Sequence, residues 1–286
     1  PYIFNLPDKN IPTHPKIYRS KRCMNCHASI DIGGIPGLLI SSVIPAPGGG
    51  TIDVFRKRIF GHAVSYHERF GGWHITGRHP FSNSWANSIG SMQGEQIHKI
   101  DNPPGAFFAW EKYLTNTSGI IPHLILEHQI GFTNLCISIS YKFREITNPN
   151  KKLSNQAIKD FIRTEAQALL SYILFKDEPP FPKNEIDKKS EYLNDFLKGN
   201  NSLKIEHSLR KLNLQTRLFE DRCSYMLFSN SFKGLPAQIK NYLISKLYFI
   251  LTSKPEEVPK EFSYLGVAEK ERIHKTLSNS LQEYPG

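Results

Sequence analysis

The stretch Ile121-Pro122-His123-Leu124-Ile125-Leu126-Glu127-His128-Gln129-Ile130-Gly131-Phe132-Thr133-Asn134-Leu135-Cys136-Ile137-Ser138-Ile139 decides the architecture. Ile121, Leu124, Ile125, His128, Phe132, Leu135 and Ile139 recur at the 3.6-residue period of a helix that buries one face. Pro122 suits a first helical turn, where its missing N–H leaves no bond unmade. The period continues downstream. Ser154 is placed to cap a second helix, with Ile158, Phe161, Ile162, Ala166, Leu169, Leu170 and Ile173 on one side, and Glu178-Pro179-Pro180-Phe181-Pro182 stops it. Gly199 closes a third. Pro236 opens a fourth, carrying Ile239, Leu243, Ile244, Leu247 and Ile250. The spacing predicts helices near 121–143, 155–176, 187–198, 236–253 and 268–281.

Upstream the pattern changes. Residues 1–20 hold four prolines and read as an extended arm; 28–50 is rich in Gly and Pro around Leu38-Leu39-Ile40. Residues 51–100 read as loops with short strands or single turns, because Gly71, Gly72, Gly77, Gly90 and Gly94 interrupt any helical period. Asn102-Pro103-Pro104-Gly105 is a turn. The fold class is mainly α, with an irregular Gly/Pro-rich N-terminal third followed by packed amphipathic helices. We read 1–286 as one domain, with 1–105 loop-rich and 106–286 helical, a length sufficient to bury a core.

The 286 residues carry 36 Lys and Arg against 26 Asp and Glu, a net charge of +10. That excess reads as a solvated basic surface or as steering toward an anionic partner. Nucleic acid is not expected: Lys151, Lys152, Lys188, Lys189, Lys240, Lys246 and Lys270 are scattered, and no RNA-binding aromatic signature occurs. No segment supplies about 18 apolar residues in a row, so no transmembrane segment is expected. Pro1-Tyr2-Ile3-Phe4 shows neither an initiating Met nor a signal segment, and the expectation is a leader that was removed or lies outside the 286 residues, which by itself neither shows nor excludes export.

Two of the four cysteines lie in Cys23-Met24-Asn25-Cys26-His27, and Cys-x-x-Cys-His is the attachment signal for c-type haem. Two thiols add to the two vinyl groups, the two-residue gap matches their separation, and the next residue, His27, becomes the proximal iron ligand. A redox dithiol would follow a strand in a βαβ unit, whereas Pro12-Thr13-His14-Pro15 reads as loop. A zinc site would need a second ligand pair. One motif implies one covalent haem c (heme c). Cys136 and Cys223 read as buried thiols or as a disulfide formed in an oxidising compartment.

Further blocks carry a resemblance. Phe60-Gly61-His62 precedes Glu68-Arg69-Phe70-Gly71-Gly72-Trp73-His74-Ile75-Thr76-Gly77, and Leu126-Glu127-His128-Gln129, Thr216-Arg217-Leu218-Phe219 and Cys223-Ser224-Tyr225 follow. Together with the cysteine motif they resemble a largely uncharacterised family of exported bacterial monohaem cytochrome c-like proteins, over nearly the whole chain. The resemblance implies a periplasmic or otherwise exported bacterial protein, and it supplies a class rather than a reaction. The chain departs from the family pattern at Ser84-Trp85-Ala86-Asn87, where relatives often carry His-Met-Gly-Asn.

The sixth iron ligand separates a carrier from a catalyst. Met24 lies inside the attachment motif, Met92 in a glycine-flanked loop, and Met226 in an apolar run that reads as core. Among the crowded His62, His67, His74, His79 and His98, His62 leads, because Gly61 would let backbone approach a porphyrin. His79 and His128 are alternates, ahead of Met92 or an open site. Arg69 and Arg78 are candidate partners for haem propionates, and Trp73 is a candidate flat wall. The leading expectation is an electron-transfer protein with bis-His ligation, acting with a redox partner protein that is acidic or belongs to a larger complex. The alternative is a haem enzyme with an open distal site acting on peroxide or a nitrogen or sulfur species.

Overall fold

The computed structural model describes residues 2–4, 14, 16–55, 61–81, 83–151, 153–182, 186, 191–198 and 209–285. Strands β1 (Tyr2–Phe4) and β2 (Ile17–Arg19) pair antiparallel ahead of a four-residue helix, α1 (Met24–His27). Two more antiparallel hairpins follow: β3 (Val43–Pro45) with β4 (Thr51–Val54), and β5 (Ser88–Gln93) with β6 (Gln96–Asp101). Gly94, at φ 62, forms half of the two-residue β5–β6 turn, where a positive φ suits glycine. The rest is helical: α2 (Ile120–Ile146), α3 (Asn155–Ile173), α4 (Glu191–Lys198), α5 (Asn230–Lys233), α6 (Ala237–Thr252) and α7 (Val267–Ser280). The fold is mainly α.

The helices form where the apolar stripes fall. Phe132 and Ile139 of α2, Leu169 and Leu170 of α3, Leu243 and Leu247 of α6, and Ile273 and Leu277 of α7 are all buried in one cluster. Ser154 Oγ accepts from the Ala157 N–H and satisfies an N-terminal donor of α3. Pro236 is the N-cap of α6. The core also takes Tyr66, Phe70, Ile75 and Phe81 from the loop-rich part. Among the described residues no helix is long and apolar enough to cross a membrane.

Three expectations need correction. The α3 helix stops at Ile173, not 176: the backbone turns left-handed at Phe175 (φ 55) and Asp177 (φ 62). The apolar period runs on through Leu174 and Phe175, but leaving the helix aims Phe175 at the rings of His62 and His128. Met92 sits on β5, exposed, rather than in a loop. Its neighbour Gly90 is a strand residue crowded by Ile44, Ile52 and Ile97, so a missing side chain marked close packing there. The third helix is seen from Glu191; residues 187–190 and Gly199 lie outside the described residues.

Candidate functional site

The Cys23–His27 motif is built on α1. Cys23 is its N-cap; Cys23 is half-buried and Cys26 exposed, and both are free thiols. The exposed His27 is tied down at one nitrogen only. Its Nδ1 lies 3.1 Å from the Gly37 carbonyl oxygen, and the Gly37 N–H donates back to the His27 carbonyl at 2.8 Å. A carbonyl can only accept, so the imidazole proton belongs on Nδ1 and the lone pair on Nε2. The next residue, Leu38, is clamped to α2 by Asn134: the Leu38 N–H donates to Asn134 Oδ1 (2.8 Å), and Asn134 Nδ2 donates to the Leu38 carbonyl (2.7 Å). A Cβ at Gly37 would stand 2.7 Å from Asn134 Oδ1, so the clamp needs glycine.

A second constellation lies one turn along α2. His62 and His128 are buried, with their Nδ1 atoms 2.9 Å apart. His128 Nε2 lies 2.8 Å from Ser224 Oγ, which also accepts from the Met226 N–H. The His62 ring is stacked 4.5 Å from Phe175 and tilted 4.1 Å from Tyr172, whose hydroxyl donates to the His128 carbonyl. Gly61 (φ 69) and Gly131 make room for that hydroxyl: a Cβ on either would come within 1.8 or 2.2 Å of it. Burial, then the neighbouring His128 and Arg69, hold His62 well below the usual imidazole range; burial alone pushes His128 down to about 3. Both rings are therefore neutral near neutral pH.

The hydrogen bonds along this chain can run in either of two directions. If Ser224 donated to His128, His128 would donate to His62 and leave a buried His62 Nε2–H with no acceptor. The opposite polarity leaves His62 Nε2 a bare lone pair, the form that can ligate a metal, and leaves the Ser224 hydroxyl hydrogen without an acceptor among the described residues. His62 Nε2 has no hydrogen-bond partner among the described residues. Both His27 and His62 thus hold Nδ1 in a hydrogen bond and keep Nε2 for something else.

The other candidates are placed as follows. Arg69 is buried; Nε and Nη2 donate to the carbonyls of Val64 and His62, and Nη1 lies 3.3 Å from Glu127 Oε2. Arg78 is exposed. Trp73 is half-buried, donating from Nε1 to the Ser41 carbonyl and meeting His123 edge-on. His79 accepts at Nδ1 from the Phe81 N–H (3.3 Å) and helps line a cavity of 310 Å³ with Lys99 and Asp101. Met226, Cys136 and Cys223 are buried, the cysteines as free thiols, and burial pushes the Cys136 thiol up to about 12. No cluster of three or more metal-ligating side chains occurs among the described residues.

Asn134, Tyr172 and Ser224 were not singled out by sequence reasoning. The signal for Ser224 was present: Phe60-Gly61-His62, Leu126-Glu127-His128-Gln129 and Cys223-Ser224-Tyr225 are three separate stretches of the resemblance, and they converge at this one place. No family model matches the chain, and neither does any curated protein or solved structure.

Proposed function

We propose that this protein is a c-type cytochrome that transfers electrons. In this reading Cys23 and Cys26 hold one haem c covalently, His27 is the proximal ligand, and the compartment is the bacterial periplasm or another exported location. The observation that carries the reading is α1 itself: two free thiols beside an imidazole whose Nδ1 is fixed on Gly37 O and whose Nε2 is bare. That donor set matches what covalent attachment and axial ligation require. When bound, the group would supply a one-electron iron couple; the chain would supply its anchorage and the orientation of His27 through Gly37.

For the sixth ligand we propose His62, supported by its bare, buried Nε2. The loops that carry the two histidines reach adjoining turns of α2: Gly37 abuts Asn134, and Gly61 abuts Gly131, three residues earlier. His128 engages both ring nitrogens and suits the role of orienting His62. His79, with Nε2 not engaged by any described residue, remains the alternate.

The test is the purified protein. Haem absorbance retained by the denatured chain after acid-acetone extraction, and a mass one haem above the bare chain, are expected. A colourless protein, or one that loses its pigment, overturns the reading. A low-spin spectrum that does not change when carbon monoxide is added to the reduced form supports electron transfer. Immediate carbon monoxide binding favours a haem enzyme with an open distal site.

A further inference from the structure

The chain around the attachment helix is charged in one sense only. Between Asp8 and Asp31 there is no acidic residue, while Lys9, Lys16, Arg19, Lys21 and Arg22 are basic, half of the protein's net +10. Four of them, Lys16, Arg19, Lys21 and Arg22, fall within seven residues directly before Cys23, and all four are exposed. Among the described residues none of the four forms an ion pair or a side-chain hydrogen bond, whereas Arg69, Lys142, Arg222 and Arg272 elsewhere all do.

The segment also carries exposed apolar surface. In the β1–β2 ribbon Tyr2 pairs with Arg19 and Phe4 with Ile17. Directly paired residues share one face of an antiparallel ribbon. Tyr2, Phe4 and Ile17 are 72%, 62% and 71% exposed. Singly exposed apolar side chains are ordinary, but three on one face together with Arg19, and continuous in sequence with three further exposed cations, are not. Weak electron-transfer interfaces are small, with an apolar centre that excludes water and a charged rim that steers the encounter.

We propose that the β1–β2 ribbon and the segment Lys16–Arg22 form the docking surface for an acidic redox protein, one that presents carboxylates around an apolar patch. The proposal rests on the cytochrome reading, because the surface adjoins Cys23 and would bring a partner to the site of attachment. It places the docking function on the loop-rich third.

The experiment uses the holoprotein. Its reduced form is oxidised by hexacyanoferrate(III), an anion that takes one electron and becomes hexacyanoferrate(II), and in parallel by the cation tris(phenanthroline)cobalt(III). Lys16→Glu, Arg19→Glu, Lys21→Glu and Arg22→Glu combined should slow the anionic oxidant at least tenfold, on the scale of electrostatic steering, and accelerate the cationic one. Four reversals of exposed lysines elsewhere, at Lys233, Lys254, Lys260 and Lys275, should change either rate far less. Poly-L-glutamate, as an acidic polypeptide probe, should bind the unchanged protein at low salt, release it at high salt, and fail to bind the first variant. Equal effects from the two sets of reversals overturn the proposal, since net charge alone then explains them. Tighter binding to phosphatidylglycerol vesicles than to poly-L-glutamate also overturns it, in favour of a membrane surface. A pigmented protein that lacks the local effect sinks the docking surface alone; a colourless protein that binds poly-L-glutamate through Lys16–Arg22 sinks the cytochrome reading alone.

Discussion

His62 Nδ1 and His128 Nδ1 face each other across 2.9 Å inside the core, and only one of the two nitrogens can carry a proton. When His62 Nδ1–H donates to His128, the polarity that ligation through His62 requires, Nε2 is a lone pair with no partner among the described residues. If His62 is the ligand, His62→Ala should convert the iron to high spin and open it to carbon monoxide, while His79→Ala should not. His128→Ala should keep the ligand but remove the acceptor of its Nδ1–H, weakening its donation and raising the reduction potential. Optical and electron paramagnetic resonance spectra with potentiometry check all three; conversion by His79→Ala instead reassigns the ligand.

The same pair sets a pH dependence. A histidine whose folded pKa is depressed contributes stability that is complete above the unfolded value near 6.5 and is lost as pH falls, because the unfolded chain takes up protons the core refuses. Each such group contributes a slope of about 1.4 kcal/mol per pH unit between roughly 6.5 and its folded value. Glu178 opposes this: burial raises its carboxyl to about 7, so its contribution is present below the usual 4.5 and lost as pH rises through 7. The two effects partly offset between 4.5 and 6.5, and the histidines dominate below. Denaturant titrations of the unchanged protein and of His128→Gln, compared from pH 7 to 4, should show the steeper acid loss in the unchanged protein. Parallel curves would remove this assignment.

Arg69 and Glu127 form a buried pair, each 2% exposed. Glu127→Gln leaves a guanidinium in the core without its countercharge and should cost about 3–5 kcal/mol in an unfolding titration. Replacing both, as Arg69→Met with Glu127→Leu, should cost less than the sum of the single changes. An additive result would show that the pair is not coupled.

The Asn134 clamp gives a local prediction. Asn134→Ala removes two hydrogen bonds to the Leu38 backbone in a half-buried setting and should cost about 1–3 kcal/mol. It should also loosen the Gly37 carbonyl from His27, so that, if His27 is the proximal ligand, its imidazole loses its fixed tautomer and the reduction potential shifts. Gly37→Ala should do the same through its clash with Asn134 Oδ1. A stability loss with no shift in potential would confine Asn134 to a structural part.

Much of the helical part was legible because its information is local. The stripe from Ile121 to Ile139, the Ser154 cap and the Pro236 start each sit within a few turns of sequence and reappear at α2, α3 and α6. Contacts between distant segments were not legible: Ser224 meets His128 across 96 residues, and Tyr172 reaches the His128 carbonyl across 44. Gly90 misled because a missing Cβ marks a loop and a crowded strand alike. The Lys16–Arg22 cluster was readable, yet a survey of the scattered lysines from Lys151 onward passes over it.

The hydrophobic cluster begins at Tyr66, and among the described residues before it none is a member, although His62 packs on Tyr172 and Phe175. The hydrophobic cluster therefore closes without α1, and if Cys23 and Cys26 carry haem, the half-buried Cys23 and the exposed Cys26 would be open to attachment after the rest of the chain has folded. Maturation can follow folding instead of directing it. The doubly substituted chain, Cys23→Ala with Cys26→Ala, would then be a colourless protein with its helices intact, and pigment and foldedness would be separable properties of this molecule.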